Sequence, residues 1–241
     1  MVYGALDEGE YEISDYKVTI SRVHGEIVYT RVNGEGKVLA SARIDGKLGV
    51  HLVPIEPVAG PAYDLVECIY VKLRVPIVVD DRVELTLLAP IDYGVIAQGD
   101  GRSHTLIDSF PEPRIPFKLA LYGPPTQGYI CRYYVSDIGG SPWERGLAQV
   151  KVRIVNESGS VAKVKLIVLP LAYTSIFYKP GTWIARLSDV RVTLTSSTVA
   201  EIDVDDNPPS ADFDEVPVNT RRGVRLQASI LRESFKMLWG Y

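Results

Sequence analysis

The sequence predicts an all-β protein made of two packed β-sandwich-like halves with little helix. Three observations predict it. Short runs of Val, Ile, Leu, Tyr and Thr recur along the chain, cut by Gly, Pro, Asn and Asp at intervals of about 8–12 residues. Within the runs, apolar residues alternate with polar ones, the period of a half-buried strand. No long amphipathic helical pattern appears. One large sandwich or barrel is the alternative. The 241 residues, 46% of them hydrophobic, suffice for a core without help from metals or disulfides, because a chain of this size buries roughly 70% of its unfolded surface.

The elements follow in order. Residues 16–23 (YKVTISRV) alternate and turn at His24-Gly25, residues 26–32 follow, and Asn33-Gly34 is a hairpin turn because both residues tolerate positive φ. Residues 37–44 complete a meander ending at Asp45-Gly46. Residues 48–57 give another strand running into a proline-bounded corner. Residues 65–79 (LVECIYVKLRVPIVV) are long enough for one bent strand or two, with Pro76 marking a bulge or edge. Asp80-Asp81 turns into a strand at 83–89, and 90–97 is a short strand interrupted by Gly94. The polar, proline-rich stretch 98–116 reads as a linker, which sets the expected domains at 1–112 and 113–241. Beyond it, strands are expected at 147–155, 161–169, 182–195 and 199–204. Asn156 lies in a turn, so its match to a glycosylation sequon reads as chance. Residues 205–217 form an acidic loop. Residues 229–238 fit a strand or a short helix, and period alone favours strands.

Residues 115–138 (IPFKLALYGPPTQGYICRYYVSDI) read as a β-hairpin. With Tyr122 opposite Tyr129, alternation assigns its faces. Phe117, Leu119, Leu121, Ile130, Arg132 and Tyr134 share one, and Lys118, Ala120, Tyr122, Tyr129, Cys131 and Tyr133 share the other. Arg132 then stands opposite Leu119 on the more apolar face, where an unpaired guanidinium costs several kcal/mol. In a structural reading, Asp137, Asp92 or Glu144 neutralises it. In a functional reading, Arg132, Tyr134, Trp143, Tyr129 and Asp137 line a ligand site, with arginine giving a bidentate fork and the aromatic rings a stacking surface. The structural reading is favoured.

Most recognisable chemistry is absent. There is no P-loop, nucleophile elbow, HExxH or paired CxxC, and Gly34-Glu35-Gly36 opens no helix. His24, His51 and His104 lie far apart, and the acidic run around 203–215 lacks EF-hand spacing and carries Pro208-Pro209. No metal and no cofactor is therefore expected. The net charge of −4 and the lack of a Lys/Arg-rich block speak against nucleic acid as a partner. The longest apolar stretch is too short to span a bilayer. The acidic N-terminal stretch has no apolar leader region, so a cytoplasmic location is expected. Four asparagines, four glutamines, two methionines and two cysteines are few for this length, a thermophilic signature. Cys68 and Cys131 are expected as two buried thiols, since intracellular disulfides are confined largely to hyperthermophiles.

Four stretches, 54–57 (PIEP), 107–110 (IDSF), 118–123 (KLALYG) and 128–134 (GYICRYY), together resemble the archaeal domain of unknown function 432 family, and the likeness extends over nearly the whole chain. The resemblance implies an archaeal source. It implies no activity and no site residue. The function expected is a non-enzymatic binding or protein-interaction module, with a homo-oligomer or another protein as partner. A hydrolase or sugar-modifying enzyme using Arg132 and loop carboxylates is the alternative.

Overall fold

Alternation near the start of the chain builds an antiparallel meander: β2 (Gly9–Ile13), β3 (Tyr16–Val23), β4 (Glu26–Asn33) and β5 (Val38–Asp45) pair in sequence order. Val18, Ile20, Ile27 and Tyr29 point inward and are almost fully buried. The Asn33 turn forms as its residues require. The Asn33 carboxamide oxygen accepts from the backbone of Glu35 and Lys37, and Gly36 takes a φ of +81°. This computed structural model describes residues 2–57, 65–99, 104–124, 128–140, 144–205 and 207–217, and the backbone of 235–238. Apart from one 3-10 turn at Leu171–Tyr173, all regular structure among them is strand.

Three further sheets complete the fold. Antiparallel pairing joins β1 (Gly4–Leu6), β6 (Gly49–Ile55), β9 (Asp92–Gln98) and β10 (His104–Phe110) in that spatial order. A second sheet runs β11 (Leu119–Tyr122), β12 (Tyr129–Ser136), β7 (Val66–Val79), β14 (Ala162–Pro170), with β12 parallel to β7 and the other pairs antiparallel. The largest sheet centres on β13 (Leu147–Asn156), which pairs with β8 (Arg82–Pro90), β16 (Ala185–Leu187) and β17 (Asp189–Leu194). β15 (Ile176–Tyr178) and β19 (Asp214–Glu215) extend it beyond β16, and β18 (Val199–Asp205) and β20 (Phe235–Leu238) beyond β17. One contiguous buried cluster, including Leu52, Tyr29, Ile69 and Val150, runs through all four sheets. Strands on either side of residue 112 share two of them, since β7 lies between β12 and β14, and β8 pairs with β13.

Several expectations change in detail. Residues 65–79 give one strand, and Pro76 lies where the register shifts: Lys72 faces Leu166 while Ile77 already faces Val164. The stretch read as a linker carries β10. Residues 182–195 hold two strands, β16 and β17. In the C-terminal stretch, 235–238 is strand, and 218–234 lies outside the described residues. Asn156, expected in a turn, is the last residue of β13 and anchors the turn that follows. Its amide donates to the carbonyls of Val79, Asp80 and Ser160, and its oxygen accepts from Ser158.

The largest correction concerns the cysteines. Cys68 and Cys131 are joined by a disulfide and are not free thiols. They face each other in register on neighbouring parallel strands, with Cα atoms 4.4 Å apart, inside the normal span of such a bridge. The parallel pairing of β7 with β12 places them together, and nothing in a 63-residue separation announces that pairing.

Candidate functional site

The hairpin of β11 and β12 forms in the expected register. Tyr122 faces Tyr129, Leu121 faces Ile130, Ala120 faces Cys131, and Leu119 faces Arg132. The two faces follow from this. On one, Arg132, Tyr134 and Ser136 point with Ile69, Val71 and Leu73 of β7 into the core. On the other, Tyr133 stacks on Tyr70 at 5.7 Å, and Tyr122 meets Tyr70 edge-on at 6.4 Å, beside the Cys68–Cys131 bridge.

Of the five residues suggested by the sequence, Arg132 and Tyr134 share the core face, and Tyr129 lies on the opposite face of the same strand. Asp137 lies past the end of β12, where its carboxylate accepts from Arg74 Nε at 2.6 Å in an exposed pair. Trp143 lies outside the described residues. Burial and the charges of Glu144 and Asp137 push the Tyr134 phenol up. Arg132 is 1% exposed. It donates to the Pro116 carbonyl at 3.1 Å, and its guanidinium lies 4.2 Å above the Phe117 ring. Its Nε has no hydrogen-bond partner, and among the described residues no carboxylate forms an ion pair with it. Desolvation therefore lowers its pKa, opposed only by the charge of Asp92.

Two polar clusters outside this set are closed. Glu112, at 2% exposure, accepts from Tyr93 at 2.7 Å, from Arg114 Nε at 2.8 Å and from Ser14. Burial alone would raise its carboxyl. The bonds from Arg114, Ser14 and Tyr93 outweigh burial and hold it below the ordinary glutamate value. Gly146 makes room for it, because a Cβ there would stand 2.3 Å from the Glu112 Cβ. Around it, Tyr3, Tyr93, Tyr178 and Trp183 pack ring against ring, with Arg145 over Trp183. In the second cluster Arg31 binds Asp108 through Nε at 2.7 Å and a second nitrogen at 3.2 Å, Tyr29 donates to the same carboxylate at 2.6 Å, and the guanidinium lies over Tyr16 and Phe110. Both clusters tie the meander to the β1-β6-β9-β10 sheet and its following loop. Neither was found from the sequence, although a signal existed for Arg31. Alternation places it on the inward face behind Ile27 and Tyr29.

A polar cleft of about 410 Å³ opens between β1, β3, β4 and β6, lined by Asp7, Glu8, Arg22 and His51 among others. Glu8 and Arg22 neutralise each other across it at 3.7 Å. Burial, and then the nearby His104, lower the His51 pKa. Among the described residues no cluster of three or more His, Cys, Asp or Glu could hold a metal ion, and no helix is long and apolar enough to cross a membrane.

Among the described residues, β11 ends its sheet and pairs only with β12. Tyr133 N–H donates to the Lys118 carbonyl at 2.9 Å, which fixes the phase of the antiparallel ladder. Ala120 and Tyr122 then direct their backbone groups to β12, and Leu119 and Leu121 direct theirs away from it. The side chains of Leu119 and Leu121 are 43% and 48% exposed.

The family model described as protein of unknown function (DUF432) matches residues 2–238. The chain belongs to this family. The match spans all four sheets, β11 included, and the family description names no activity. No curated protein and no solved structure matches the chain.

Proposed function

We propose that the protein is a non-enzymatic interaction module that binds an extended segment of polypeptide along β11. The carrying observation is an edge left unpaired among the described residues, where Leu119 and Leu121 present outward N–H and C=O groups and exposed side chains. Strand addition to such an edge takes affinity from main-chain bonds and selectivity from alternate side chains. Three other edge strands, β2, β5 and β10, are guarded in the usual ways. β5 is interrupted by a bulge at Leu39 and carries Arg43 and Asp45, β2 carries Glu10 and Glu12, and β10 has a bulge at Ile107. On β11 only Lys118 and the strand's shortness act as guards. Exposed Tyr129 borders the edge across the ladder.

The net charge of −4 supports a protein partner over nucleic acid. The scarcity of amide and sulfur side chains, joined now by a disulfide, supports a thermophilic archaeal source and is compatible with its cytoplasm. The test uses amide-resolved NMR with a panel of synthetic eight-residue peptides of alternating apolar pattern. Binding shifts the Leu119 and Leu121 amides and is lost in Leu121→Pro, which deletes an outward donor and leaves the β11–β12 bonds intact. If no peptide of the panel moves these two amides, strand addition at β11 is wrong.

A further inference from the structure

We infer that the segment received by the β11 edge is β11 of a second copy of this chain, so that two sheets join across a two-fold axis at Ala120. This rests on the reading of β11 as a strand-addition edge and names its occupant. The argument comes from register. An antiparallel ladder requires outward-facing residues to meet outward-facing residues. A two-fold axis through Ala120 places Leu119 opposite Leu121 of the second copy, and Leu121 opposite its Leu119. Each pair exchanges two N–H···O bonds, and all of these groups point away from β12 in the single chain. The axis itself falls on a pair that exchanges no hydrogen bonds, where the chains approach most closely, at Cα separations of about 4.5 Å. Ala120 fits that position, where a larger residue would crowd its own copy.

The side chains agree with the same register. A two-fold axis perpendicular to a sheet preserves its faces, so the four leucines, each roughly half exposed in the single chain, gather on one side. Lys118, the one charged residue beside the strand, stands opposite Tyr122 of the second copy and not opposite its own equivalent. No like charges meet. The joined sheet has spatial order β14-β7-β12-β11 followed by the same four strands reversed. Such an isologous contact is self-closing and stops at two copies.

Sedimentation velocity on the full chain, over a concentration series from micromolar to about millimolar, tests this with three variants. The unmodified chain shows a concentration-dependent dimer. L119K/L121K opposes like charges in both pairs and raises the dissociation constant by about tenfold or more. L119K/L121E opposes each introduced lysine to an introduced glutamate and brings the dimer back to within a few-fold of the unmodified chain. L119E/L121K does the same with the signs exchanged. Circular dichroism melts of each variant check that the monomer stays folded. A strict monomer at every concentration overturns the self-pairing, and so does a dimer that L119K/L121K leaves untouched or that the two charge-swapped variants fail to restore. The peptide panel reads the edge separately. Peptide shifts at Leu119 and Leu121 in a strictly monomeric chain would leave strand addition standing and remove the second copy as its occupant.

Discussion

Arg31 and Arg132 are two buried arginines on strands of the same protein, and they are treated in opposite ways. Arg31 carries a bidentate carboxylate, Asp108, which Tyr29 and the Ser109 amide also bind, and two aromatic rings cover its guanidinium. Arg132 is buried more deeply and has one carbonyl, one ring and an unpartnered Nε. A buried charge is tolerated when its donors are matched, and is a burden when they are not. Arg31 therefore locks two sheets together. Arg132 sits at the root of the exposed edge without a matching acid.

The largest expected effect comes from breaking the matched site. Asp108→Ala leaves Arg31 buried without its acid and Tyr29 without its acceptor, and is expected to cost about 3–5 kcal/mol of folding free energy in urea titrations. A loss below about 1 kcal/mol would mean that the Arg31 network contributes little. Next comes the bridge that holds the strand of Arg132. Cys68→Ser with Cys131→Ser reopens a loop spanning 63 residues and is expected to lower stability by about 2–4 kcal/mol. The same loss should appear when the unmodified chain is reduced, and no change on reduction would place the stability of β7–β12 elsewhere.

Arg132→Met reverses the sign. It removes an imperfectly satisfied charge and keeps the length of the stem that packs in the core, so stability should be unchanged or higher by about 1–2 kcal/mol. The same change at Arg31 should be destabilising. Equal losses at both positions would show that Arg132 has a partner as good as Asp108 and would erase the contrast.

The hairpin around Arg132 was legible to the residue pair, because turn chemistry and alternation fix an antiparallel hairpin locally. The meander was legible for the same reason. The parallel union of β7 with β12 was not, since it joins segments about sixty residues apart that no single turn connects, and the disulfide went unseen with it. β1, β2 and β10 were missed because they are short or polar, and they gain their order from neighbours already in place. The functional reading of Arg132 grouped residues from both faces of the hairpin. Tyr129 and Arg132 differ by an odd number of positions, so a flat strand sends them to opposite faces.

The smallest effect sharpens the comparison from the acid side. Glu112 is the carboxylate counterpart of Arg31: buried, and matched by Arg114, Ser14 and Tyr93. Its folded pKa lies below the ordinary value of about 4.3. A depressed carboxyl contributes stability that is complete above the unfolded value and is lost as pH falls through the folded one. Glu112→Gln should therefore cost about 1–2 kcal/mol at neutral pH, a modest figure because Arg114 is largely exposed and its attraction is screened. The gap between variant and unmodified chain should close as pH drops below about 4. A gap that stays constant to pH 2 would mean that the hydrogen bonds of Glu112 do not depend on its charge, and that the matched acid resembles Arg132 more than Arg31.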